Sequence, residues 1–101
     1  MPTAYVTAPP EAAEDIARTL VEEELAACVN RLPCQSIYRW DGEVHDDDEA
    51  VMFVKTTAAG YEALEARLTE LHPYEVPCIE RFDEDQVLDA FADWRADAVE
   101  E

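Results

Sequence analysis

The sequence predicts an α+β domain built on one four-stranded antiparallel sheet. Three observations predict it: strand and helix periodicities alternate in the order βαββαβ, one strand is apolar on both faces, and the two proline-bearing strands suit sheet edges. The first strand is Thr3 to Ala8. Pro9-Pro10 closes it and opens a helix, because proline fits a helix's first turn. From Glu11 onward Ala13, Ile16, Ala17, Leu20, Val21, Leu25 and Cys28 recur at helical spacing, with Glu14, Asp15, Arg18, Glu22 and Glu23 on the other side. A second strand spans Cys28 to Trp40. Pro33 removes a ladder donor from it and places it at an edge.

Asp41-Gly42 is a two-residue turn able to supply positive φ, so Ser36 to Trp40 and Glu43-Val44 read as the arms of a hairpin. The return strand passes through the acidic His45 to Glu49 and becomes Ala50-Val51-Met52-Phe53-Val54. Five apolar residues in succession need cover on both faces, so this strand is central. Thr57 is placed to cap a second helix carrying Tyr61, Leu64, Leu68 and Leu71, which ends before Pro73. Val76 to Phe82 reads as a short strand, edge-bound because of Pro77. Asp83 with Gln86 resembles a capping box opening a last helix, with Val87, Leu88, Phe91, Trp94 and Val99 turned inward. Right-handed crossovers then give sheet order 4-1-3-2, a ferredoxin-like βαββαβ sandwich with an extra C-terminal helix and a long hairpin.

Length and composition bound the function classes. A chain of 101 residues fits one domain, residues 1–101, because such a chain buries roughly 60 to 70% of its extended surface. No apolar run approaches the ~20 residues that span a bilayer, and Met1-Pro2-Thr3 has no signal-peptide character, so a soluble cytoplasmic protein is expected. The charge is −18, from 25 acidic against 7 basic residues. Six arginines stand singly and Lys55 is the one lysine, which argues against nucleic-acid or membrane partners. Near-absence of lysine under such an acidic surface points to a halophilic source, where the Debye length shrinks to ~3 Å or less. A cation-scavenging protein is the alternative.

Several segments, taken together, resemble one family. They are Thr7-Ala8-Pro9, Leu20-Val21-Glu22, Leu25-Ala26-Ala27-Cys28-Val29-Asn30, Ser36 through Gly42, Lys55-Thr56 and His72-Pro73-Tyr74-Glu75-Val76-Pro77. In that order they resemble the CutA family of divalent-cation tolerance proteins over nearly the whole chain. The resemblance implies a homotrimer of PII-like architecture, with the hairpin reaching onto a neighbouring subunit, and a binding or regulatory role in metal tolerance. Exposed Tyr38 and Trp40 on unpaired strand edges favour the same assembly on physical grounds; the alternative is that Trp40 folds back on its own sheet.

Candidate site residues are few. Cys28, Cys34 and Cys78 form no CxxC pair, and a small buried hydrophobe is the favoured reading, more strongly for Cys28 than for Cys78. The copper site assigned in some CutA proteins uses a first-strand cysteine and two histidines before Pro-Tyr; here those positions are Val6, Leu71 and His72. Only His72 matches, so a Cu or Zn site would need Cys78, a soft thiol where the family commonly has Glu. The metal candidates are therefore His72 and Cys78, with weakly bound divalent cation or Cu/Zn as the implied ligand and no firm cofactor. His45 to Glu49 could hold hard cations but lacks the spaced ligands of an EF-hand, and a solvated strand face explains it. Lys55 either pairs with a carboxylate such as Glu75 or, with Arg39, contacts an anionic metabolite between subunits, the PII-like alternative. No nucleophile motif, P-loop or dinucleotide turn occurs, so a binding protein is expected and an enzyme of unknown reaction is the remaining alternative.

Overall fold

The structure, a computed structural model, describes residues 1–99. Its elements are β1 (Pro2–Ala8), α1 (Pro10–Glu22), β2 (Cys28–Trp40), β3 (Glu43–Lys55), α2 (Tyr61–Leu71), β4 (Ile79–Asp83) and α3 (Asp89–Ala98). The sheet order is β2-β3-β1-β4 with every pair antiparallel, which is the predicted 4-1-3-2 arrangement. β1 and β3 lie in the middle. Their alternate residues Ala4, Val6, Ala8, Met52 and Val54 pack under Ile16, Ala17 and Leu20 of α1 and Leu64 and Leu68 of α2. The apolar run therefore feeds the core from the centre of the sheet.

The other face of the sheet carries no such helical cover among the described residues. Tyr5 packs edge-on to Phe53 at 5.8 Å and tilted against Phe82 at 6.0 Å, and Leu32 and Phe82 remain exposed. Beyond the Ala8–Ala50 pair, where β1 ends, β2 and β3 continue together for seven more pairs, from Cys34–Glu49 to Trp40–Glu43. This two-stranded ribbon turns at Asp41 (φ 52°) and Gly42 (φ +79°), the positive-φ dipeptide that the sequence marked.

Four local expectations are corrected. α1 stops at Glu22, because Glu24 adopts φ 60° and the amides of Leu25 and Ala26 return to the Leu20 carbonyl. Thr57 does not cap α2; its hydroxyl accepts the Gly60 N–H at 3.0 Å in the preceding turn, and Gly60 is the cap position. The last strand begins at Ile79, leaving Val76, Pro77 and Cys78 outside the ladder. α3 starts at Asp89, with no capping hydrogen bond from the Asp83–Gln86 segment. Of the side chains expected inward, Val99 is buried and Val87 half-buried, but Leu88 is 77% exposed and Trp94 46%, and the buried side chain of α3 itself is Arg95.

Arg95 explains that exposure. Its guanidinium, 1% exposed, donates to the Thr56 carbonyl at 2.6 Å, to Glu84 Oε1 at 3.1 Å, to the Pro2 carbonyl and to Thr3 Oγ1 at 3.4 Å. A buried guanidinium must find acceptors, and the ends of β1 and β3 supply them. This need outweighs burial of Phe91 and Trp94, whose rings tilt against each other with centroids 5.5 Å apart instead.

Candidate functional site

A concavity runs along the ribbon from where it leaves the sheet. A groove of about 690 Å³ is bounded by Ser36, Ile37, Tyr38 and Trp40 of β2, Thr7 of β1, and the segment Pro73 to Cys78 that follows α2. Glu49 forms its polar floor. The strand alternation decides this: in the β2–β3 register Glu49, Asp47 and His45 oppose Cys34, Ser36 and Tyr38 on one side, while Asp46 and Asp48 fall on the other. The acidic run is thus split across the ribbon. Glu49 departs from the expected solvated face, being only 4% exposed.

The segment after α2 is tied down by His72 and Tyr74. His72 is buried at the C-cap, accepts the Tyr74 N–H on Nδ1 at 3.1 Å and donates from Nε2 to the Thr7 carbonyl at 2.8 Å. Both ring nitrogens are thereby engaged, and the ring packs 5.0 Å from that of Tyr74. Tyr74 in turn donates its hydroxyl to Glu49 Oε2 at 2.8 Å. Burial, then this hydrogen bond, pushes the Tyr74 hydroxyl well above its ordinary range, so it stays a donor. Tyr38 makes a parallel contact to Asp47 Oδ2 at 2.5 Å and stacks on His45 at 5.3 Å. Burial pushes the Cys78 thiol up, with Glu80 adding to the shift against hydrogen bonds from Thr7; its Sγ donates to Glu80 Oε1 at 3.6 Å.

The predicted site residues separate accordingly. His72 and Cys78 both border Thr7, whereas Cys28 and Cys34 sit half-buried on β2 with free thiols. Among the described residues no three His, Cys, Asp or Glu side chains converge as metal ligands. Lys55 ends β3 opposite Thr3, four residues along β1 from Thr7, which lines the groove with Glu75. That separation is roughly 13 Å, and no Lys55–Glu75 pair forms among the described residues of the chain. Arg39 lies near the ribbon tip, with Nη1 3.4 Å from the Gly42 carbonyl. Glu49 and Tyr74 were not singled out from sequence. Their signal was parity: Glu49 is the acid that adjoins Ala50 and shares the face of Val51 and Phe53.

Comparison with known proteins now decides the family. The family model of the CutA1 divalent ion tolerance protein matches residues 3–98. The chain belongs to the CutA family. It is 40% identical over 91 residues to the divalent-cation tolerance protein CutA of Pyrococcus horikoshii, covering 89% of each chain. The Thermus thermophilus CutA is 54% identical over 68 residues, 66% of each chain. Among solved structures, the PII-like protein CutA from Nostoc sp. PCC 7120 in apo form superposes with a TM-score of 0.96 at 40% identity, covering 99% of this chain and 98% of that one. CutA membership accounts for the pattern of fold and ribbon, and the family is one of divalent-ion tolerance proteins with PII-like structure.

Proposed function

We propose that this chain acts as a homotrimeric binding or regulatory protein of divalent-metal tolerance, with its ligand groove at the boundary between subunits. The observation that carries the reading is the uncovered side of the sheet. Tyr5, Phe53 and Phe82 form an apolar face without a helix, and the ribbon beside it extends seven residue pairs past the last third-strand contact. Unpaired edges and apolar surface of this kind are stabilised by a partner copy. Multi-angle light scattering tests it: a mass about three times the 11.4 kDa of one chain is expected, and a single-chain mass at micromolar concentration in both dilute and concentrated salt would refute it.

The charge of −18 is read as an adaptation to concentrated salt in a cytoplasm. Soft-metal capture by His72 and Cys78 is a second reading, supported by their shared neighbour Thr7. To bind a metal His72 would have to release the Tyr74 N–H or the Thr7 carbonyl, so two protein donors make a weak, exchangeable site. Titration with Cu(I), Cu(II) and Zn tests it, with loss of binding expected in a His72→Ala, Cys78→Ser variant. Equal binding by variant and parent would remove these residues from the metal site.

A further inference from the structure

The groove has a chemistry that divalent-ion tolerance does not assign. Its walls are Ile37, Tyr38 and Trp40 from the ribbon and Tyr74 and Val76 from the facing segment. Its buried charge is Glu49, which has the Tyr74 hydroxyl as its hydrogen-bond donor. No basic residue lines the groove, and among the described residues no cation pairs with Glu49. A carboxylate withdrawn from water without a counter-charge is unfavourable, and a cationic guest relieves it. Aromatic faces add attraction for the same sign of charge.

An anion would meet Glu49 and Glu75 with no cationic side chain in the lining to offset them. A bare divalent ion would need several oxygen ligands, and no three ligands converge among the described residues. The volume of about 690 Å³ matches small-molecule sites of roughly 300–1,000 Å³.

We propose that the groove binds a small organic cation with an apolar body, an ammonium or amidinium on an aromatic or alkyl group, with Glu49 as counter-charge and Tyr38 and Tyr74 as aromatic walls. This rests on the reading above that the groove is the ligand site, and names its ligand class. A cationic side chain of a sister copy offers the same chemistry.

Calorimetric titration decides among these. Phenethylamine is titrated at fixed ionic strength, with 2-phenylethanol and 3-phenylpropionate as neutral and anionic counterparts of similar shape. The amine is expected to bind once per chain and more tightly than either counterpart. Glu49→Gln, which keeps an acceptor for Tyr74, should weaken the amine by about ten- to a hundredfold and leave the alcohol unchanged. Tyr38→Leu, which removes the ribbon's aromatic wall nearer Glu49, should weaken it by about two- to fivefold. Equal binding of all three compounds, or an amine affinity indifferent to Glu49→Gln, overturns the proposal.

Absence of amine binding to an intact trimer overturns it as well. If Glu49→Gln then also lowers the scattering mass, a sister chain's cation is the occupant. A single-chain mass overturns only the subunit-boundary reading, and titration of that species still decides on the groove.

Discussion

Replacing Arg95 by leucine removes the guanidinium that holds α3 against the start of β1. The change leaves Glu84 without its cation, the Thr56 carbonyl without the Arg95 donor and the Pro2 carbonyl with only the Thr56 N–H. Breaking a buried ion pair from one side costs about 3–5 kcal/mol, and each orphaned acceptor ~1–3 kcal/mol more when it stays dry. The Glu84 side chain is 26% exposed, so water reaches part of the defect, and these contributions do not simply add. The lower figure of ~3 kcal/mol lowers the melting temperature of a domain near this size by about 12–24 °C.

Because Arg95 is sealed from solvent, the loss should be the same in dilute buffer and in 2 M KCl, where exposed pairs such as Arg67–Glu23 are screened. Adding Glu84→Leu should recover at least about 1 kcal/mol, since an apolar pair replaces a stranded charge. Thermal melts of parent, single and double variants measure this. A single variant melting within about 4 °C of the parent, or a loss that halves in salt, refutes the assignment of Arg95 as the internal clamp.

Acid stability follows from the same cluster. Burial alone raises the Glu84 carboxyl, but hydrogen bonds from Thr3, from its own backbone N–H and from Arg95 win, and it titrates below the ordinary range. Its contribution is thus present above the unfolded-state value of ~4.3 and lost as pH falls through the lower folded value. Glu84→Gln should flatten the acid limb of the melting curve between about pH 5 and 3, and parallel curves would count against it. Gly60→Ala places a Cβ 3.0 Å from both Thr57 Oγ1 and Val99 Cγ1, so these two side chains must give by a few tenths of an ångström. A loss of about 1–3 kcal/mol is expected in denaturant titration, and an unchanged midpoint would show that Val99 yields freely. Assembly should weaken at low salt, because three chains together carry three times the −18 of one. A scattering mass and melting temperature constant from dilute buffer to 2 M KCl would contradict this.

Much of the architecture was legible because burial writes a period into the chain. The alternation of β1, the helical spacing of Ile16, Leu20, Leu64 and Leu68, and the unbroken run Ala50–Val54 each had one satisfactory place, and proline at Pro33 confined β2 to an edge. What was hidden lay where a polar need overrode apolar pattern. The chain breaks away after α1 through Glu24 in the left-handed region, without the glycine that usually announces such a stop. In α3 the spacing of Leu88, Phe91 and Trp94 promised an inward face, yet Arg95 alone had acceptors waiting inside. Glu49 vanished into a run of acids because residue type alone does not reveal which of two alternating faces meets a tyrosine 25 positions later.

The ribbon also has a mechanical consequence. Seven pairs beyond Ala50 make an arm roughly 23 Å long, pivoting where the third strand stops. A tilt of about 10° at the pivot sweeps the Asp41-Gly42 tip through about 4 Å, more than a hydrogen bond's length. Glu49 sits at that fulcrum and the groove runs from it along the arm to Trp40, so whatever wedges or relaxes the base is geared up to motion at the far end.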